Sequence, residues 1–491
     1  MASSDVSYDT EEFERMPIGG HWRTGGSEGT RADTDPYRGG TLVEITLADA
    51  ADVDEAYQSA RAAQREWTQR LPAERAEVLR RAADVLIRRK DQVIDWLIHE
   101  SGSTRIKAEA EWNATRADFL EAASYPYRVQ GQILPADVAG KESRIYRRPL
   151  GVVGVISPWN WPLHLSNRSV APALAVGNGV VLKPASDTPV TGGLLLAKIL
   201  EEAGLPAGLL NVIIGRGSEV GDPIVEHPIP RLISFTGSTE VGLGIRQKSQ
   251  IKRTALELGG NGPLVVLGDA DLGNAIDAAV FGSFFHQGQL CIRANRVIVD
   301  AAVHDEFVER FVDKVRGLRS GDPAEAETVV GPIINRSQLE SIQDKISRSR
   351  DAGAEILLDG EATGPTGLLL PPHVLLGDNN VPTAAEEVFG PVATVVRAHD
   401  EDHALKLANE TEHGLSSSVF TRDIERGTRF AQLIDAGMTH INDQPINDQA
   451  NTAFGGEKES GVGRFGGEWA IEEFTTDHWI SVQHTPRQFP M

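Results

Sequence analysis

The sequence predicts an α/β protein of two lobes with a small β arm, and three observations predict it. From residue 152, short apolar strands alternate with helical stretches, the pattern of a parallel sheet with crossover helices. A second series of the same kind begins near Gly259. Before both, YRVQGQILPADVAGKESRIYRRPLG (127–151) alternates in short β-like runs broken by Pro and Gly, which reads as a ribbon projecting from the main body. A chain of 491 residues is long enough for two or three domains with substantial cores.

Taken in order, residues 49–69 place Val53, Ala56, Tyr57, Ala60, Ala63 and Trp67 on one helical face, with polar residues opposite. Residues 72–101 predict one longer helix, opened by Pro72 and closed before Gly102. The first strand series is VVGVI (152–156), VVLK (180–183), NVII (211–214) and LISF (232–235). The second opens with PLVVLG (263–268) and RVIVD (296–300), followed by a helix over 303–318. Two lobes meeting near residue 259 leave a cleft, and ligands in such folds sit at the C-terminal ends of strands.

Composition narrows the function classes. Hydrophobic residues make up 40% and charged residues 24%, so the chain is neither disordered nor fibrous. Seventy acids against 48 bases give a net charge of −22, a field that repels polyanions, so no nucleic-acid partner is expected. Eleven lysines against 37 arginines fit either a host with a salty cytoplasm or a GC-rich genome. No apolar run is long enough to span a membrane, and MASSDVSYDTEEFERM lacks the basic and apolar regions of a signal peptide. The expectation is a soluble cytoplasmic protein. A single cysteine excludes a disulfide framework and a multi-thiolate metal site.

That cysteine, Cys291, lies in FFHQGQLCIRAN (284–295). A lone cysteine is most often a buried small hydrophobe. Here Gly288 and Gln289 suggest a loop entering a helix, where N-terminal amides would lower the thiol pKa and make a nucleophile. A protease-type pairing with His286 is a rival without a distinct base–orienter arrangement. Glu257 in ALELGGNGP (255–263) sits between apolar residues, as either a salt-bridged core carboxylate or a desolvated general base. The pair Gly259–Gly260 reads as a bend at the lobe junction.

Four further segments stand at strand ends or in loops. In SPWNWP (157–162), Asn160 is either an ordinary turn residue or a fixed amide able to stabilise an oxyanion. Lys183 ends an apolar strand in VVLKPAS (180–186), where it could meet a ribose hydroxyl or a phosphate. SFTGSTEVG (234–242) places a Gly–Ser turn before a helix starting near Ser238, whose free amides could bind phosphate. Neither it nor Gly215 to Gly221 has the G-x-G-x-x-G spacing. EEVFGP (386–391) sets Glu387 beside Phe389 in a loop.

Together and in this order, PWNWP, KPAS, FTGSTEVG, LELGG, GQ-x-C and EEVFGP resemble the NAD(P)-dependent aldehyde dehydrogenase superfamily, from roughly residue 20 to the C-terminus. The resemblance implies two Rossmann-like lobes, with residues 1–126 and 147–258 binding cofactor and 259–440 forming the catalytic domain. Residues 127–146 and 470–491 would form an oligomerisation arm and C-terminal segment, implying a homodimer or homotetramer. It further implies Cys291 as nucleophile, Glu257 as general base and Asn160 as oxyanion-hole amide, with no metal. Lys183 and Glu387 would hold ribose hydroxyls, and Gly237, Ser238 and Gly242 would meet the pyrophosphate. Trp159, Gly217 and Phe389 match other positions lining the cofactor site.

For the substrate, INDQPIN (441–447), RFGG (464–467), IEEFT (471–475), HWIS (478–481) and LSNRSVAP (165–172) look most like the benzaldehyde dehydrogenase branch. Trp161, Leu165, Leu290, Ile292 and Phe454 match tunnel positions, and an apolar tunnel favours an aromatic aldehyde. Arg168 belongs with them if it points inward, though most arginines on such a helix face solvent. Many NAD-preferring members carry Glu where Ser186 stands, so NADP is admitted beside NAD; NAD is favoured because Glu387 is retained and no arginine flanks Ser186. The alternatives are an aliphatic or semialdehyde dehydrogenase of the same mechanism, or a non-oxidative thiol esterase or binding protein on this fold.

Overall fold

The first helix, α1 (Ala50–Trp67), opens on a reciprocal cap: Asp49 accepts from the amides of Ala51 and Asp52, and the Asp52 carboxylate accepts from the Asp49 amide. Its buried stripe is close to the expected one, with Val53, Ala56, Tyr57, Ala60 and Trp67 inside the core and Ala63 partly buried at its margin. This computed structural model describes residues 10–491. Residues 1–9 lie outside the described residues, and with them part of the acidic N-terminal stretch and the start of the 1–126 segment.

The single helix expected over 72–101 is two, α2 (Pro72–Arg88) and α3 (Lys90–Ser101). Arg89 leaves helical geometry at φ −93° and ψ 13°, and its guanidinium binds Glu202 and Gln92. The kink lets each helix turn its own apolar face inward, Val78, Leu79 and Leu86 on one side and Val93, Trp96 and Leu97 on the other. A fourth helix, α4 (Arg105–Ala122), went unread in the sequence because its buried face is half polar: Lys107, Glu111, Thr115 and Asp118 lie inside beside Ala108, Trp112, Phe119 and Ala122. The fifth, α5 (Pro162–Ala175), packs against it and is buried on every side.

Six strands form the first sheet, in the order Gly461–Val462, Arg253–Glu257, Leu232–Thr236, Val152–Ile156, Gly179–Lys183 and Leu210–Val212. All pair in parallel except the two-residue edge strand Gly461–Val462. The run expected at 211–214 leaves the ladder after Val212, and its remainder turns to receive α1: the Ile214 carbonyl accepts from the Ala48 amide. The second sheet has seven strands, ordered Glu355–Leu358, His373–Leu376, Val392–Ala398, Ala294–Asp300, Gly262–Val266, Ser416–Phe420 and Met438–Ile441. Only Glu355–Leu358 runs antiparallel. Both parallel sheets are continuous runs of Val, Ile and Leu because helices cover both their faces.

The segment expected as a ribbon forms a separate antiparallel sheet, Thr475–Gln483 beside Lys141–Pro149 beside Gln132–Leu134. It leaves Ile133, Tyr146, Trp479 and Ile480 exposed. Among the described residues no helix is long and apolar enough to cross a membrane.

Candidate active site

Every candidate in the first lobe follows the C-terminal end of a strand in one sheet. Trp159 and Asn160 follow Val152–Ile156, Lys183 and Ser186 end and follow Gly179–Lys183, and Gly217 follows Leu210–Val212. Gly237, Ser238 and Gly242 follow Leu232–Thr236, and Glu257 closes Arg253–Glu257. In the second lobe the arrangement reverses. Cys291 precedes Ala294–Asp300, and Glu387 and Phe389 precede Val392–Ala398, so this lobe contributes the amino ends of its strands.

Cys291 does not enter a helix. The helix Leu272–Phe284 ends before it, and a tight turn carries His286, Gln287 and Gly288 through the left-handed region (φ +51°, +54° and +66°). Two successive non-glycine residues there are strained and are held from outside. Gln287 Nε2 donates to the carbonyls of Gly102 and Pro332, and Gln289 Oε1 accepts from the Ile334 amide. Gly288 is obligatory, since a Cβ would lie 2.1 Å from the Gly390 carbonyl oxygen. With no helix N-terminus behind it, the thiol pKa is not lowered: burial, then the carboxylates of Glu387 and Glu257, push it up to about 12.

Asn160 is buried, and its Nδ2 donates to the Gln289 carbonyl at 3.0 Å, which ties the amide to the cysteine loop. The Cys291 main-chain amide has no hydrogen-bond partner among the described residues. One side-chain amide, of Asn160, and one open main-chain amide, of Cys291, are therefore held at the same loop. Glu257 is not the salt-bridged core residue. It is buried, both its oxygens lack partners among the described residues, and burial raises its pKa to about 8 against the pull of Arg168.

The pair Gly259–Gly260 proves to be a close approach rather than a bend. Neither residue takes a positive φ, and a Cβ on Gly260 would lie 2.0 Å from the Cys291 carbonyl oxygen. The Gly260 amide also donates to Glu387 Oε1 at 2.8 Å. One glycine thus brings the Glu257 strand, the Cys291 loop and Glu387 together across the lobe junction.

The remaining cofactor candidates leave complementary hydrogen-bonding capacity. Lys183 Nζ is buried with only the Pro184 carbonyl as acceptor among the described residues, at 3.3 Å, and burial lowers its pKa to about 8. Glu387 Oε2 has no donor among the described residues. An ammonium short of acceptors and a carboxylate short of donors suit a dihydroxylated ribose. The helix Thr239–Lys248 starts after Ser238, whose side chain does not cap it, so its first-turn amides stay free for phosphate. Gly237 is committed elsewhere, its amide donating to the Glu257 carbonyl. Gly242 lies inside the first turns of the helix, Gly217 is exposed, and Trp159 meets Phe389 edge-on at 5.4 Å.

An arginine does reach the Ser186 corner, contrary to the local reading. Arg31, from the strand Thr30–Thr34, pairs with Asp187 at 2.7 Å and acts on Lys183. A partner 156 residues away cannot be seen by inspecting flanks. Its charge is matched by Asp187, which Asn335 also holds.

On the other side of Cys291 opens a cavity of about 260 Å³. All six substrate candidates, Trp161, Leu165, Arg168, Leu290, Ile292 and Phe454, line it with Asn160 and Cys291. Phe281 and Phe285 add a stacked aromatic wall, with ring centroids 4.6 Å apart. Arg168 points inward. It lies 4.3 Å over the Phe454 ring and donates to Asp448 at 3.0 Å. The sequence reading missed His164, Asp448, Phe281 and Phe285; His164 was within reach, because it stands one helical turn before Arg168 on α5.

The Aldehyde dehydrogenase family model matches residues 22–480. The chain is 51% identical over 473 residues to a vanillin dehydrogenase of Corynebacterium glutamicum, covering 95% of this chain and 97% of that protein. It resembles the crystal structure of an NAD-dependent benzaldehyde dehydrogenase from Corynebacterium glutamicum at 48% identity, 98% coverage of each chain and a TM-score of 0.89. It also resembles a salicylaldehyde dehydrogenase from Pseudomonas putida G7, crystallised with salicylaldehyde, at 36% identity, 97% and 99% coverage and a TM-score of 0.94.

Proposed function

This chain belongs to the aldehyde dehydrogenase family, and we propose that it oxidises aromatic aldehydes to carboxylic acids with NAD. One observation carries the substrate class: the cavity that opens on Cys291 is walled by Trp161, Phe281, Phe285, Leu290, Ile292 and Phe454. A flat apolar ring fits such walls, whereas a carboxylate-bearing semialdehyde would find the cavity's two cations, Arg168 and His164, already paired with Asp448. The names of the vanillin and benzaldehyde dehydrogenases support the same class.

The residues divide the work. The Cys291 thiolate, formed by loss of its proton to solvent, attacks the aldehyde carbonyl to form a thiohemiacetal. The developing oxyanion is met by Asn160 Nδ2 and the Cys291 amide, both fixed before the substrate arrives. NAD, when bound, would be held by Lys183, Glu387 and the first-turn amides after Ser238, and would accept the hydride. The thioester left on Cys291 is hydrolysed by a water that Glu257 deprotonates, releasing the acid. NAD is preferred to NADP because Glu387 offers a free carboxylate oxygen and the charge of Arg31 is already answered by Asp187. The exposed apolar side chains of the three-stranded sheet support its reading as the arm joining subunits of a homodimer or homotetramer, and the enzyme works in the cytoplasm.

Two measurements test the proposal. kcat/KM for benzaldehyde should exceed that for succinate semialdehyde by about 100-fold or more, since a buried unpaired carboxylate is strongly disfavoured; comparable values would undo the aromatic reading. Asn160→Ala should cost about 100- to 1,000-fold in kcat, as loss of one oxyanion donor does. A kcat within threefold of the parent would remove Asn160 from the mechanism.

A further inference from the structure

The polar end of the substrate cavity is a built cluster. His164 Nε2 and Arg168 both donate to one oxygen of Asp448, at 2.9 and 3.0 Å, and His164 Nδ1 is ion-paired with Asp118 at 2.9 Å. All four side chains are largely buried, and His164, Arg168 and Asp448 line the cavity beside Cys291. The two cations answer the two carboxylates, so the cluster needs no charged ligand. Its Asp118 and Glu111 anchors come from the polar buried face of α4, where Glu111 accepts from the amides of Leu163 and His164 and fixes the start of α5.

One acceptor is left over. Asp448 Oδ2 carries both donors, while Oδ1 has no hydrogen-bond partner among the described residues. Although burial opposes it, Arg168 and His164 hold the Asp448 carboxyl below its ordinary range, so it accepts and does not donate. His164, between two carboxylates, is raised to about 10 despite its burial and stays charged at neutral pH.

Resting on the aromatic-aldehyde reading above, we propose that Asp448 is a specificity-determining residue whose Oδ1 accepts a hydrogen bond from a ring hydroxyl, so that the preferred substrates are hydroxybenzaldehydes. A neutral hydroxyl supplies the one donor this cavity lacks. A ring carboxylate would face Asp448 as a like charge, and an unsubstituted ring would leave Oδ1 without a donor from the substrate.

The test compares kcat/KM for the three hydroxybenzaldehydes, their methyl ethers and benzaldehyde, at a pH below ionisation of the phenols. In the parent enzyme the best hydroxybenzaldehyde should exceed both its ether and benzaldehyde by at least about tenfold. In Asp448→Asn, His164 and Arg168 claim the amide oxygen and turn its NH2 toward the cavity, presenting a donor where an acceptor stood. The hydroxyl-to-benzaldehyde ratio should then fall at least about tenfold, toward one. A parent ratio within twofold of one overturns the inference and leaves the aromatic reading standing. So does an Asp448→Asn ratio equal to the parent's, because purely structural damage lowers both substrates together. Turnover of aliphatic aldehydes with no aromatic substrate accepted overturns both readings.

Discussion

Cys291→Ala is expected to abolish aldehyde oxidation, with a loss of about 10⁶-fold or to the detection limit, as for other nucleophiles on which a covalent route depends. No second thiol exists to take over, since Cys291 is the only cysteine in the chain. The substitution removes one partly buried sulfur from a loop held by Gln287 and Gln289, so the fold should survive it. The check is NADH formation at 340 nm, beside an unchanged circular dichroism spectrum. A folded variant that retained a hundredth of parent activity would dismiss Cys291 as nucleophile. The same thiol predicts its own reactivity: with a pKa near 12 it should alkylate slowly in the free enzyme at neutral pH, and about tenfold faster for each unit of rising pH. Alkylation at neutral pH as fast as that of free cysteine would contradict the burial that raises it.

The legible parts of this protein were those whose physics is local. Apolar runs such as VVGVI and PLVVLG announced strands of two parallel sheets, because parallel strands are buried on both faces. The apolar stripe from Val53 to Trp67 announced α1. α4 stayed hidden because Lys107, Glu111, Thr115 and Asp118 form a buried polar stripe between Ala108, Trp112, Phe119 and Ala122, which dilutes the hydrophobic period. The same stripe supports the cavity, so the polar scaffold of the site was missed for the reason that makes it useful. Cys291, Glu257 and Asn160 could be picked out by short motifs, yet their electrostatics could not. Whether Glu257 was paired depended on Arg168 and Arg464, and the charge at Ser186 depended on Arg31. A lowered thiol pKa was expected from a helix that does not exist there. Sequence separation, not ambiguity of residue type, set the limit.

Glu257→Gln should separate the two halves of the reaction. The amide cannot take a proton from water, so the variant should release about one equivalent of NADH per subunit and then stall as the thioester. Its steady-state rate should fall by about 100- to 10,000-fold, the usual worth of a positioned base. In the parent, wherever hydrolysis limits turnover, kcat should rise through pH 8 as Glu257 ionises, and the variant should lack that rise. The same carboxyl must also weaken the fold. In the unfolded chain it ionises near 4.5, whereas the folded protein keeps it protonated to about 8. Between those pH values the unfolded state binds fewer protons, so the destabilisation grows as pH rises from 4.5 and is complete above 8. Its ceiling is on the order of 5 kcal/mol at alkaline pH, and it vanishes below 4.5. The glutamine variant escapes that cost, so its unfolding midpoint should exceed the parent's by more at pH 9 than at pH 5. A stabilisation independent of pH would mean that Glu257 is already charged at neutrality; full steady-state turnover would mean that another group activates the water. A buried, unpaired carboxylate kept for use as a base gives up stability where it gains reactivity.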